Sequence, residues 1–250
     1  MTRDQAEAIF PYSTLPKVQV NCPICKQKNV GILRTDRYGY EVPYAVCACG
    51  MEYLTEQLTR EGYDLLYSGA YRRLVEAYAG KPGVRRHVGG PYRQFATMAF
   101  PLRRITSVLD AGGSTGMIGG SIAASYKGAT LTVLDPAAQE LPNGVVTVQG
   151  YLEDPIPGRY DLAVCIGVID HLTNPVAALR NLRAVAPRLM IDYIDVKINR
   201  RVPKIDHPLY WTKDSAMRVM AECGWPIKYV WSINSRLEYR STLLMCSAGD

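Results

Sequence analysis

The stretch that decides the fold is Ile105–Asp135, ITSVLDAGGSTGMIGGSIAASYKGATLTVLD. It opens on a short apolar run, Ile105 to Leu109, bounded by polar residues and of the length of a buried strand. Asp110 ends that run, and Ala111-Gly112-Gly113-Ser114-Thr115-Gly116 makes a turn of small residues. Met117 to Tyr126 reads as a helix, and Ala129 to Leu134 as a second buried strand that ends in Asp135. Strand, glycine turn, helix, strand and acid form the first half of a nucleotide-binding α/β unit. Glycine lets a backbone turn tightly and approach a ligand closely. An acid after the second strand can accept two hydrogen bonds from ribose hydroxyls.

Outward from this unit the alternation continues. Val145 to Gln149 reads as a strand followed by Gly150-Tyr151-Leu152-Glu153-Asp154, and Leu162 to Gly167 as the next strand. Asn174-Pro175 then starts a helix, as N-cap and first helical residue, that runs to about Ala186. Arg188 to Ile194 is a strand, Asp195 to Tyr210 is irregular and basic, and Lys213 to Cys223 is a helix closed by Gly224. Ile227–Ile233 and Arg240–Cys246 are two last strands. The expectation is α/β: a doubly wound, mostly parallel sheet of seven strands over 105–250.

The N-terminal part has a different composition. Residues 1–16 read as a loose lead-in. Cys22-Pro-Ile-Cys25 and Cys47-Ala-Cys49-Gly50 flank a short β-rich excursion, VGILRT and YEVPYAV. Two close cysteine pairs at this separation suit a zinc ribbon, in which Cys22, Cys25, Cys47 and Cys49 close a tetrahedron around structural Zn²⁺. A closed four-thiolate shell leaves no open position for catalysis, and the plainer alternative is reduced core cysteines. The expected division is a zinc-ribbon-like module over 1–54, a helical connecting and lid segment over 55–104, and the α/β core. Leu54 to Tyr78 is expected to be helical, as is Pro91 to Leu102.

Charge and length limit the function classes. The 250-residue chain has formal net charge +6. Nine Lys/Arg against three acids fall between Arg60 and Arg104, which accounts for the whole excess. A basic segment beside a pocket suits an anionic partner, though it also suits solvated helix faces. Nothing resembles a signal peptide, and no apolar run approaches the ~20 residues that span a bilayer. A cytoplasmic setting is therefore expected, where thiols stay reduced.

With these residues in view, the chain from Ile105 to Cys246 resembles the class I S-adenosylmethionine-dependent methyltransferases, whose fold is Rossmann-like. VLDAGGSTG is similar to the family's first motif, with Ser114 where the middle glycine usually stands. LTVLD resembles the second, GYLED the third, and YDLAVCIGVIDHLTNP the fourth strand with its Glu-His-x-x-x-Pro loop, here with Asp170 for the glutamate. Asp110 before the glycines would repel a dinucleotide pyrophosphate but pair with the cationic amino group of methionine. The resemblance implies that Asp110 and the backbone from Gly112 through Gly113 to Gly116 hold the methionine end. It implies further that Asp135 takes the ribose, Leu152 and Glu153 flank the adenine, and Cys165 and Ile166 lie under the cofactor. A narrower resemblance, to bacterial methyltransferases of sugar and polysaccharide pathways, rests on the cysteine module, the tyrosine-rich segment and HPLYWTKDSAMRVMAECGW.

That resemblance implies a small-molecule acceptor, expected to be a sugar hydroxyl or carbon of a nucleotide-linked sugar. A neutral acceptor needs a base near neutral pH, and His171 and His207 are the candidates, each open to a structural role instead. His87 reads as exposed. Tyr67, Tyr71 and Tyr210, with Arg85, Arg86, Arg93 and Arg201, are candidate substrate contacts. A nucleic-acid methyltransferase gripping phosphates through the basic segment and zinc module is the competing reading, and a non-catalytic cofactor-binding scaffold the third. The chain has no Asn-Pro-Pro-Tyr-like motif, which counts against methylation of DNA base amines.

Overall fold

The computed structural model describes residues 1–80, 89–100, 104–137, 141, 144–199, 202–234 and 240–248. The chain opens on α1 (Arg3–Ile9), a correction to the loose lead-in. Thr2 and Gln5 form a reciprocal capping box there. That Thr-x-x-Gln spacing was a readable helix start. Phe10 and Tyr12, just after it, are buried.

Next come β1 (Lys17–Gln19), β2 (Ile32–Thr35), β3 (Glu41–Val46), β4 (Glu52–Leu54) and β5 (Glu56–Leu58). Leu54 and Leu58 therefore lie in strands, where helix was expected. Helix starts at Thr59, whose side chain caps α2 (Arg60–Leu65). After a kink at Gly69 (φ 142°), α3 (Tyr71–Ala79) follows. The leucine spacing misled because Leu54 and Leu58 are strand residues whose side chains are buried in a cluster with Phe10, Tyr12, Tyr63 and Leu66, not by a helical stripe.

The core elements lie close to their expected bounds: α4 (Gly89–Ala99), β6 (Ser107–Ala111), α5 (Met117–Ala123), β7 (Thr130–Asp135), β8 (Val146–Gln149) and β9 (Leu162–Cys165). They continue as α6 (Pro175–Val185), β10 (Arg188–Ile194), α7 (Val196–Asn199), β11 (Leu209–Tyr210), α8 (Lys213–Glu222), β12 (Ile227–Asn234) and β13 (Arg240–Ser247). Asn174 accepts from the Ala177 N–H, with Pro175 at the first helical position. The seven-stranded sheet has the order β12-β13-β10-β9-β6-β7-β8. Pairings among β10, β9, β6, β7 and β8 are parallel, and β13 runs antiparallel between β10 and β12. The central strands β9 and β10 are buried almost throughout, as parallel strands covered on both faces must be. The order reverses direction at β6, so the carboxyl ends of β6 and β9 flank the crevice where ligands bind in such sheets.

The N-terminal segment is joined to this sheet by more than the chain. β11 lies in the irregular 195–210 stretch but pairs antiparallel with β4, completing a second sheet of order β11-β4-β3-β2. Cys22, Cys47, Met51 and Tyr53 share one apolar cluster with Leu209, Trp211 and the core face of β9. Thr212 Oγ1 donates to Gly50 O at 3.0 Å, and Leu54 N to Pro208 O at 2.9 Å. Among the described residues, no helix is long and apolar enough to cross a membrane.

Candidate active site

The cofactor-type crevice is built around Asp110 at the end of β6. Its carboxylate is buried and accepts the Gly119 N–H at 2.9 Å. A Cβ on Gly113 would sit 2.4 Å from Asp110 Cγ, and one on Gly119 2.5 Å from its Cβ, so both positions must lack a side chain. Gly112, at φ 74°, faces Val168, where an added Cβ would come within 2.5 Å. Burial pushes the Asp110 carboxyl up to about 7; the Gly119 N–H opposes that and the Asp135 carboxylate adds to it. A cationic partner would relieve that penalty, and a pyrophosphate would deepen it.

Asp135, at the end of β7, receives the Ala137 N–H on Oδ1 and the Ser114 N–H on Oδ2, each at 2.9 Å. It thus braces the turn it faces. Ser114 has φ 51°, a left-handed backbone where the family's usual glycine would be at ease. Left-handed backbone costs an L-residue about 1–2 kcal/mol, partly offset by glycine's extra freedom when unfolded. A Ser114→Gly variant is therefore expected to be more stable by about 0.5–1 kcal/mol, read from its urea midpoint at unchanged slope.

Leu152 is buried, and its carbonyl accepts from Asn181 Nδ2. Glu153 Oε1 accepts from the Thr173 and Asn174 N–H groups at 2.9 and 3.3 Å, tying the loop after β8 to the loop after β9. A cavity of about 290 Å³ opens beside it, lined among others by Gln57, Arg60, Tyr63, Tyr151 and Thr173. Cys165 is fully buried at the end of β9, and burial pushes its thiol well up. Ile166 packs at the sheet's other apolar cluster.

The two candidate histidines meet. His171, from the turn after β9, and His207, from the loop ahead of β11, stand 4.3 Å apart between ring centroids at 67°. The Tyr67 hydroxyl lies 3.2 Å from His171 Nδ1, and the Tyr71 ring meets the imidazole edge-on. Burial lowers the His171 pKa, against the upward pull of the Asp206 and Asp170 carboxylates. His207 Nδ1 is 3.4 Å from Asp170 Oδ2, and its Nε2 is 3.3 Å from Asp206 Oδ2 and 3.4 Å from Lys204 Nζ.

Other expected contacts fall elsewhere. Tyr210 is buried, and its hydroxyl exchanges hydrogen bonds with the Lys204 backbone, so it orders the loop. Arg93 is exposed on α4. Arg85, Arg86, His87 and Arg201 lie outside the described residues. Of the basic residues expected to meet an anion, Arg60 is bound to Asp154 and Arg72 to Glu76.

Asp170, noted in the sequence for its place in the loop motif, stands beside His207, whereas Asp206, next to His207, and Asp192, in the strand behind, were not singled out. Asp192 was visible in principle as a charge inside the buried run RLMIDYI. It accepts the Gly167 N–H at 2.6 Å and the Tyr92 hydroxyl at 3.4 Å, and burial lifts its carboxyl to about 6. Asp36 was missed too. It accepts the Tyr38 and Tyr40 N–H groups, and on its other oxygen the Ile205 N–H at 3.2 Å, which fixes the His207 loop.

In the N-terminal module the four cysteine sulfurs lie within 4.8 Å of one another. Cys22 and Cys49 are 3.5 Å apart, and Cys25 and Cys47 3.3 Å. Zn–S bonds of about 2.3 Å give tetrahedron edges of about 3.8 Å, so the group needs little adjustment to hold an ion. The tighter Cys-x-Cys pair still converges, helped by the turn at Gly50 (φ 86°). Burial acts to raise the Cys47 thiol, but the Cys49 N–H and the neighbouring thiols bring it down to about 7.

Comparison with known proteins identifies the fold and the family. No curated protein matches the sequence. In fold, the chain is similar to the 1,6-didemethyltoxoflavin-N1-methyltransferase of Burkholderia thailandensis, solved with its substrate and S-adenosylhomocysteine. That likeness has TM-score 0.60 at 13% identity and covers 83% of this chain and 99% of that one. It is also similar to the mitomycin 7-O-methyltransferase (TM-score 0.55, 16% identity, 74% of this chain and 60% of that). A third is the N,N-8-amino-8-demethyl-D-riboflavin dimethyltransferase of Streptomyces davawensis (TM-score 0.52, 17% identity, 75% and 62%). These likenesses speak for the fold. The family described as a methyltransferase domain matches residues 67–225, well over half the chain, from the tyrosine-rich segment through the glycine turn to α8. The chain belongs to this methyltransferase domain family and is an S-adenosylmethionine-dependent methyltransferase.

Proposed function

We propose that this enzyme methylates a small-molecule acceptor, a sugar hydroxyl or carbon of a nucleotide-linked or polysaccharide precursor, with His171 and His207 at the reacting oxygen or carbon. The observation that carries the reading is the meeting of the two histidines, from separate loops, at the carboxyl edge of the sheet beside the Asp110 crevice. The bound cofactor supplies an electrophilic methyl on a sulfonium. Asp110 would hold the methionine amino group, the Gly112–Gly116 backbone would pass beneath its chain, and Asp135 would take the ribose hydroxyls. The adenine would lie toward Leu152 and Glu153, with Cys165 and Ile166 below. Displacement at a sulfonium loses charge on the way to the transition state, so the protein must chiefly align the acceptor and exclude water.

Proton removal then falls to an imidazole. Because burial lowers the His171 pKa below the usual 6.5, its neutral form persists further into acid than free imidazole does. The acid limb of kcat/KM against pH is therefore expected below that value, and His171→Gln with His207→Gln should lower turnover by roughly 10²–10⁴-fold with S-adenosylhomocysteine affinity kept. Full turnover in the double variant would sink the base assignment. In this reading the four cysteines hold structural zinc, whose part is to fix the strands that carry the 202–210 loop. Thermal-shift screening with sugar nucleotides tests the acceptor class. A steep loss of binding with added salt would instead point to nucleic acid.

A further inference from the structure

The histidine cluster contains a feature that general-base chemistry leaves unexplained. Asp206 is fully buried, and neither of its carboxylate oxygens has a hydrogen-bond partner among the described residues. A buried carboxylate in that state is costly unless a cation or several donors answer it. Its oxygen and one ring nitrogen from each of His171 and His207 lie within 4.8 Å of one another. The nearest approach is His207 Nε2 to Asp206 Oδ2, 3.3 Å.

The surroundings have the form of a ligand shell as well. The far nitrogen of His207, Nδ1, lies 3.4 Å from Asp170 Oδ2, and Nδ1 of His171 lies 3.2 Å from the Tyr67 hydroxyl. Oxygen partners of this kind fix the tautomer and ring plane of metal-bound histidines. The Ile205 N–H bond to Asp36 and the Tyr210 hydroxyl bond to Lys204 hold the loop that presents Asp206 and His207.

We propose that His171, His207 and Asp206 form a site for one divalent first-row transition ion, distinct from the four-sulfur cluster. Two imidazoles and one carboxylate suit zinc, manganese or iron(II) and leave coordination positions open. The inference rests on the acceptor lying at the two histidines and changes their role: as ligands they cannot also take the proton, so the ion would instead acidify a bound acceptor hydroxyl, whose proton passes to solvent, and the acceptor class narrows to molecules offering neighbouring oxygens, such as a sugar diol. Lys204 Nζ, 3.4 Å from His207 Nε2, is the resident competitor. An ammonium and a metal ion repel at that distance, so the lysine must turn aside or lose its proton when the ion enters.

The test is a calorimetric and optical titration of the whole zinc-loaded protein with Co²⁺. The expected result is one further equivalent bound, with visible d–d bands and no new thiolate charge-transfer band. Asp206→Asn should weaken it by more than roughly 10-fold, Tyr67→Phe should weaken it less, and Lys204→Met should tighten it. Absence of a second equivalent in the wild type overturns the proposal, as does unchanged affinity in a folded Asp206→Asn protein. Should that variant fail to fold, affinity unmoved by both Tyr67→Phe and Lys204→Met overturns it equally. S-adenosylhomocysteine binding in excess chelator reads the cofactor assignment separately, so the loss of one reading is not mistaken for the loss of the other.

Discussion

An Asp110→Asn variant is expected to be more stable than the wild type above neutral pH and to lose its cofactor. The folded carboxyl is raised by burial to about 7 from 3.8. The sign follows from linkage: the unfolded chain gives up this proton more readily, so wild-type stability falls as pH rises from about 4 to about 7. Asparagine keeps an oxygen for the Gly119 N–H and removes the charge. The stability gap between variant and wild type should therefore open across that range and level off above it. Its upper bound is about 4 kcal/mol, since each pH unit between the unfolded and folded pKa is worth about 1.36 kcal/mol. Denaturant unfolding at pH 4.5 and pH 8 measures the gap.

With the methionine end at Asp110, as proposed, the same raised pKa should make cofactor binding depend on pH. The cationic amino group of the methionine end favours the ionised carboxylate, so below about 7 binding must expel a proton from Asp110. Affinity for S-adenosylhomocysteine should fall by up to about tenfold per pH unit below that point, and calorimetry from pH 5.5 to 8 reads it directly. In Asp110→Asn the affinity should be weak, with this pH dependence gone. Retention of wild-type affinity and slope would contradict the placing of the amino group at Asp110.

The second large effect is expected at the sulfur cluster. With zinc on the four cysteines as proposed, Cys49→Ser should release the ion, lower the melting temperature by more than about 10 °C, and cut turnover by roughly 100-fold or more, while a surviving folded fraction still binds S-adenosylhomocysteine. The reason is mechanical. Cys47, Met51 and Tyr53 share an apolar cluster with Leu209 and Trp211. β4 pairs with β11, immediately after His207 and Pro208. Asp36, in the turn between β2 and β3, holds Ile205. Loosening these strands moves the loop that sets His207, whereas the Asp110 crevice is held by β6 with β7 and β9 paired on either side of it. Atomic absorption, thermal melting and separate measurement of kcat and cofactor affinity resolve the three consequences. A fall in cofactor affinity equal to the fall in kcat/KM would show that the cluster supports the whole core and not the loop.

Much of this was legible in the chain. The strand, the glycine turn and the acids at Asp110 and Asp135 are dictated locally: a buried parallel strand must be an apolar run, and a backbone that crowds Asp110 and Val168 must lack side chains. Asn174-Pro175 starts a helix by its own chemistry, and paired cysteines announce their common centre. Such signals need only neighbours in sequence. The first 16 residues were misjudged although their capping box was also local. Leu54 and Leu58 misled because the apolar cluster that buries them draws on Phe10, Ile205 and Tyr210, partners distant in sequence.

What only the tertiary structure decided is the candidate active centre. Sequence proposed His171 and His207 separately, 36 positions apart, with no reason to place them 4.3 Å from each other. Their meeting requires the turn after β9 and the loop before β11 to converge. The sheet order and the pairing of β11 with the N-terminal module bring that about. Asp206 looks like an ordinary loop acid until its burial without a hydrogen-bond partner is seen, and only the fold shows that the Tyr210 hydroxyl is held by the Lys204 backbone. Backbone conformation and cofactor-turn chemistry are short-range properties that a sequence carries in itself; desolvation and charge pairing belong to groups that only folding brings together.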